Sequence, residues 1–280
     1  LVAHGEAGAL TIKRIEGSGI KLVTPLLDLP ALTINASIDG SNGMRSLALK
    51  SDDKTSTLTL QPNGRGGADF DFHADTFAVP FGAGFSMTNF GAKGSYRPGE
   101  IVLSDFDGYM FGGVVRGQGR LQTAPTWGFE GTFEARTVEL NRMLPKIFAN
   151  GRLQGQGRFS MASTEATRLF ASPSLEGTFT VDKGQFSLGE LGRMLQGAQS
   201  GGATSFNEAS GEVVVGANRT QVRNLKFATG LLSGNGGVEM DSQGGLFGRL
   251  LAELRGPGGT IRGSFVLGGS LDNPTFRRGN

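Results

Sequence analysis

The sequence predicts a mainly all-β protein: an elongated, curved antiparallel sheet folded into a groove with one dry face, plus one or two short helices. Three observations predict it. Apolar and polar residues alternate in segment after segment. Glycine makes up 47 of 280 residues, where an ordinary chain carries about 7%. Turn dipeptides recur between the alternating segments at the spacing of a continuous meander: Asp39-Gly40, Asn63-Gly64, Pro98-Gly99, Asp107-Gly108, Asn150-Gly151, Lys183-Gly184 and Gln243-Gly244-Gly245.

The segments follow one another in order. "LTINASID" sets Leu32, Ile34, Ala36 and Ile38 against Thr33, Asn35, Ser37 and Asp39. "VVRGQGRLQ" sets Val115, Gly117, Gly119 and Leu121 against Arg116 and Arg120. "WGFEGTFEA" sets Trp127, Phe129, Gly131, Phe133 and Ala135 against Gly128, Glu130, Thr132 and Glu134. "GRLQGQGRFSM" sets Leu153, Gly155, Gly157, Phe159 and Met161 against Arg152, Gln154, Gln156, Arg158 and Ser160. "SLEGTFTVD" sets Leu175, Gly177, Phe179 and Val181 against Ser174, Glu176, Thr178, Thr180 and Asp182. "IRGSFVL" closes the series with Ile261, Gly263, Phe265 and Leu267 on the dry side. One-sided strands of this kind belong to antiparallel sheets, where one face meets water.

Two segments depart from the alternation. In residues 138–148, Leu140, Leu144 and Ile147 fall at helical spacing, with Pro145 limiting the helix to one or two turns. In residues 187–199, Leu188, Leu191, Leu195 and Ala198 share one helical face. Residues 200–211 read as an exposed loop. The tetrapeptide Glu-Gly-Thr-Phe occurs at 130–133 and again at 176–179, each copy followed by one of the short helices. This quasi-repeat points to growth along one axis. No linker or change of composition divides the chain, so residues 1–280 read as one domain.

Composition narrows the function. The net charge is +2, both signs are scattered, and no basic block would track phosphates, which disfavours nucleic acid. Cysteine is absent, which removes disulfides and thiolate metal sites. No run of about 18 apolar residues could span a membrane as a helix. Leu1 is not an initiator methionine, so the chain reads as a piece of a longer protein with any anchor upstream.

Catalytic chemistry has few candidates. There are two histidines, His4 and His73. His73 lies beside Asp69, Asp71 and Asp75, ligand types for a metal, but alternation places Asp69, Asp71 and His73 together on the wet side as a solvated face. The glycine motif in "GGVVRGQGR" has no helix after it, as a dinucleotide site requires. The expectation is a non-enzyme with no cofactor and no metal.

The glycines pose a problem of their own. Gly117, Gly119, Gly155 and Gly157 lie on the dry side, where glycine weakens a strand and contributes no packing. They allow a sheet to bend and leave room that acyl chains would fill. The alternative is that the curved sheet closes on itself at these positions. On the first reading, the greasy channel is lined by Val115, Leu121, Trp127, Phe129, Phe133, Leu153, Phe159, Met161, Leu175, Phe179, Val181 and Phe265.

The segments "YMFGGVVRGQGRL", "WGFEGTFEARTVELNRML", "GRLQGQGRFSM", "SLEGTFTVDKGQF", "GGATSFNEASGEV", "LKFATGLLSGNGGVEMDSQGGLFGRLLAEL" and "GGSLDNPTF" resemble, in order and spacing, the C-terminal module of AsmA-like proteins. The resemblance covers residues 99–280, with 1–98 continuing the same style of sheet. It implies a periplasmic protein of Gram-negative bacteria, tethered to the inner membrane by a segment outside this chain. Relatives of this group, TamB-like ones included, look like bridge-type carriers of phospholipid or other acyl lipids, and the family supplies no catalytic residues. The function expected is conduction of phospholipids along an apolar groove between inner and outer membrane, in support of outer-membrane assembly. The competing expectation is a scaffold or interaction module of an envelope assembly, with envelope proteins as partners.

Overall fold

The computed structural model describes residues 2–6, 9–20, 31–38, 43–80, 84–123, 125–198 and 201–279. The fold is all-β and antiparallel, as the alternation predicts, with 72% of the chain in strands and 6% helical. The expected Asp39-Gly40 turn lies outside the described residues.

Contacts gather into two compact units. Unit 1 comprises residues 1–109, 116–131 and 161–171. It carries β1 (Val2–Glu6), β2 (Ala9–Ile20), β3 (Leu32–Ile38), β4 (Met44–Ser51), β5 (Ser56–Pro62), β6 (Ala68–Ala78), β7 (Ser86–Arg97) and β8 (Glu100–Met110). Each of these strands pairs antiparallel with the next in the chain. Residues of β9 (Gly113–Gln122), β10 (Trp127–Glu139) and β11 (Phe148–Ser163) belong to both units. Unit 2 adds β12 (Ser174–Phe186), β13 (Thr204–Val215), β14 (Arg219–Thr229), β15 (Leu232–Asp241), β16 (Leu246–Gly256), β17 (Gly259–Gly269) and β18 (Pro274–Arg278), and from β11 onward these too pair with their chain neighbours.

In unit 1 the dry face is aromatic. Asp69, Asp71 and His73 of β6 are exposed, whereas Phe70 and Phe72 are half-buried. Phe77 stacks on Phe90 at 4.3 Å between ring centroids, and Phe72 meets Phe90 edge-on at 6.0 Å. Three of these rings have a small residue opposite: Phe70 faces Gly94, Phe72 faces Ala92 and Phe90 faces Ala74, whereas Phe77 faces Met87. A cross-strand pair of one large and one small side chain fills the space between strands without overpacking.

The helices fall near their expected places. Helix α1 (Leu140–Met143) follows β10, and helix α2 (Leu191–Leu195) follows β12. Each follows a Glu-Gly-Thr-Phe strand, so the sequence repeat corresponds to a repeated strand–helix unit. Leu140 and Leu191 are each 2% exposed. A 3₁₀ turn at Ala166–Ala171, not expected from the sequence, buries Leu169 and sets Phe170 edge-on to Phe129 at 6.1 Å.

Four local expectations are corrected. Residues 204–211 are not a loop but the start of β13, because Phe206 and Ala209 land on the dry side opposite Gly184 and Val181. Asp107-Gly108, Asn150-Gly151 and Lys183-Gly184 lie inside β8, β11 and β12 instead of ending strands. At Gly151 the pairing register shifts and φ is +138°, so this glycine serves an irregularity within the strand.

Candidate functional site

The dry face of unit 2 is organised in rows that run across the strands. One row passes Gly157, Gly177, Val213, Val222, Val238, Gly248 and Leu267, each paired directly with the next. Its neighbour passes Phe159, Leu175, Val215, Thr220, Met240 and Leu246. Leu175, Val213, Val215, Val222, Val238 and Met240 in these rows are half-buried. Thr220 is the one polar residue of the two rows. Spanning β12 to β15 takes three inter-strand spacings, about 14 Å. The result is a half-exposed aliphatic lane, long enough for a segment of an extended acyl chain.

Beyond the lane the same face is deeply buried. Under α1 lies a cluster of Leu140, Val181, Phe206 and Ala209. Under α2 lies a larger one in which Leu191, Met194 and Leu195 meet Leu232, Leu250, Ala252, Phe265, Leu267 and Phe276. Phe265 is fully buried and stacks on Phe276 at 5.4 Å. The residues before α2 are held by Thr204, whose hydroxyl donates to the Gly189 carbonyl at 2.6 Å and accepts from the Leu191 amide at 2.8 Å. Glu190 caps α2, its carboxylate accepting from the amides of Gly192 and Arg193.

The residues chosen from the sequence divide accordingly. Leu121, Trp127, Phe129, Phe133, Leu153, Leu175 and Phe179 are half-buried. Val115, Phe159, Met161, Val181 and Phe265 are buried in the protein's own core. Leu153 pairs with Val181, Gly155 with Phe179, and Phe159 with Leu175, so β11 and β12 bring these six together in one patch. Val213, Val222 and Val238 were not chosen. Their signal is obscured, since Glu212-Val-Val-Val does not alternate and a register shift interrupts β14 after Val222.

The dry-side glycines have a structural explanation. A Cβ on Gly157 would lie 2.9 Å from the Phe133 ring and 2.5 Å from the Glu176 carbonyl. A Cβ on Gly119 would lie 3.1 Å from the Phe129 ring, and one on Gly211 would lie 2.9 Å from the Phe179 ring. Gly184, Gly234 and Gly94 stand in the same relation to Phe206, Phe227 and Phe70. Phenylalanine rings thus lie on bare backbone of adjacent strands, the arrangement known to rescue glycine within a sheet. Both Glu-Gly-Thr-Phe copies follow this rule, Phe133 covering Gly157 and Phe179 covering Gly211. Gly155 is different: the atoms nearest its Cβ would be the Thr178 carbonyl at 3.1 Å, the Phe179 Cβ at 3.6 Å and the Leu153 side chain at 3.7 Å.

The opposite face is polar and cross-linked by ion pairs. Arg158 donates to Glu176 at 2.6 Å, and Arg255 and Arg262 each donate to Glu253 at 2.8 Å. These two guanidinium groups hold the Glu253 carboxyl below the usual glutamate range. Phe247 and Leu251 interrupt this face, 63% and 53% exposed. Among the described residues no group of three or more His, Asp or Glu side chains is placed to hold a metal ion, and no helix is long and apolar enough to cross a membrane. No family model, curated protein or solved structure matches the chain.

Proposed function

We propose that this chain is a non-enzymatic envelope protein that holds phospholipid acyl chains against the apolar face of its sheet and conducts them between the inner and outer membranes, supporting outer-membrane assembly. The observation that carries the reading is the half-exposed lane of Leu175, Val213, Val215, Val222, Val238 and Met240. Burial of each methylene stabilises by about 0.8 kcal/mol. Ten half-covered methylenes would therefore contribute about 4 kcal/mol, enough to retain a chain and little enough to let it slide. With a single threonine as the polar group in the two rows, headgroup selectivity would be low, as a conduit requires. The resemblance to AsmA-like proteins supports a periplasmic location and an inner-membrane anchor outside this chain.

A second reading rests on Phe247 and Leu251, which are exposed on the otherwise polar face. Apolar side chains there suit a scaffold that docks another envelope protein. Lipid extraction separates the two. Protein purified from membranes without detergent should yield phospholipid in stoichiometric amount on the conduit reading. Lipid-free protein that also takes none from vesicles would leave the scaffold.

A further inference from the structure

We propose that helix α2 is a displaceable cover, seated in the resting protein on the stretch of apolar face that acyl chains take when it lifts. This rests on the lipid-conducting reading above. The lane and the covered surface are continuous, since Val238 belongs to the lane and also packs against the cluster beneath α2. The two differ only in what lies over them. Over the lane, side chains are left half-exposed. Over β15–β18, Leu191, Met194 and Leu195 reduce the face to near-complete burial.

The cover is built to be separable. Five residues are far too few to hold a helix in isolation, so α2 exists only while its three apolar side chains are seated. The chain leaving it passes through Gly197, Gly201 and Gly202, all with φ in the left-handed region, at +99°, +142° and +81°. Such positions turn at little cost in glycine. The Thr204 bonds to Gly189 and Leu191 hold the entry to the helix, and the Glu190 amide donates to the Gly201 carbonyl at 2.9 Å, so the part that opens is the helix itself with the residues up to Gly197.

The seat favours an aliphatic occupant. Leu195 rests on Gly263, where a Cβ would lie 2.7 Å from its Cδ2. The rest of the seat is Leu232, Leu250, Ala252, Phe265, Leu267 and Phe276, with the guanidinium of exposed Arg278 at its rim, 3.7 Å from the same Cβ position. Lifting α2 exposes mainly apolar surface, which an acyl chain can cover as the leucines did.

Hydrogen exchange on the full chain, with and without vesicles of phosphatidylethanolamine and phosphatidylglycerol, tests this. Amides of residues 192–197 should exchange at least about tenfold faster with vesicles present, while those of β12 stay unchanged, because local opening sets exchange. A photocrosslinking residue at Leu254, half-buried at the margin of the seat, should capture more phospholipid in a Gly263→Val variant, whose added side chain collides with Leu195. A crosslinker at Val222 should capture phospholipid with or without that change. Capture at Val222 with unchanged exchange in 192–197 and none at Leu254 would make α2 permanent core and overturn the proposal, leaving the conduit reading intact. No capture at either position would remove both. If Gly263→Val does not fold, exchange in the unaltered protein decides alone.

Discussion

A mutant cycle at Phe179 and Gly211 tests the explanation of the dry-side glycines. The two residues pair directly, and a Cβ on Gly211 would stand 2.9 Å from Phe179 Cζ, 3.1 Å from its Cε1 and 3.2 Å from the Arg223 carbonyl. In the unaltered protein Gly211→Ala should therefore destabilise by about 1–2 kcal/mol through overpacking. Phe179→Ala removes a half-buried ring and should cost about 2–3 kcal/mol, less than the 3–5 of a fully buried one. With the ring gone, the 3.2 Å approach to the Arg223 carbonyl remains and offsets the preference for alanine over glycine within a strand, so Gly211→Ala should fall to within about 0.5 kcal/mol of neutral. The coupling is then about 1 kcal/mol, which simple additivity cannot produce. Gly155 supplies the control. Its Cβ would touch the Phe179 Cβ at 3.6 Å and not the ring, so Gly155→Ala should be uncoupled from Phe179→Ala. Urea unfolding followed by circular dichroism reads the unaltered protein and all five variants. Equal effects of Gly211→Ala with and without the ring would refute the argument that the glycine is there to seat the phenylalanine.

Three further outcomes are expected. Phe179→Asp should destabilise by about 3 kcal/mol or more because a carboxylate on the dry face lacks a partner, whereas Glu176→Lys, which breaks only the exposed pair with Arg158, should cost less than about 1 kcal/mol; equal costs would mean the register is wrong. Thr204→Val should cost about 2–4 kcal/mol and speed exchange of the Leu191 amide, since it orphans a buried donor and a buried acceptor, and Thr204→Ser should restore both. Glu253 should titrate below an ordinary glutamate, chiefly through its hydrogen bonds to Arg255 and then Arg262. Because its folded pKa is depressed, the stability it adds is present at neutral pH and lost as pH falls through that lowered value. A carbon-detected titration of the Arg255→Gln, Arg262→Gln double variant should return the midpoint to the ordinary range, and an unmoved midpoint would remove these partners as the cause.

Strand identity and facing were legible wherever alternation was clean. In β11 the polar residues Arg152, Gln154, Gln156, Arg158 and Ser160 are exposed and the intervening ones are not, as their spacing alone required. Legibility failed where local geometry departs from period two. Gly151, at a register shift inside β11, reads in sequence like the end of a strand. Residues 204–211 carry small polar residues that suit a loop, and only the burial of Phe206 and Ala209 against β12 makes them a strand. The depth of each dry residue was illegible for a different reason. Phe265 and Phe179 occupy equivalent places in an alternating pattern, yet α2 covers the first and not the second. Which rings lie over which glycines depends on pairing between strands, so Gly119 and Gly157 looked vacant in sequence and are covered in the fold.

The central claim is that the valine lane meets acyl chains, and site-specific photocrosslinking in intact membranes tests it most directly. Crosslinkers at Val213, Val222 and Val238 point to the dry side, and those at Thr178 and Glu212 to the exposed side. The first three should capture phospholipid and the last two little. Crosslinks from the three valine positions solely to the protein's own strands would contradict the account, because the lane would then be closed by protein and carry no lipid.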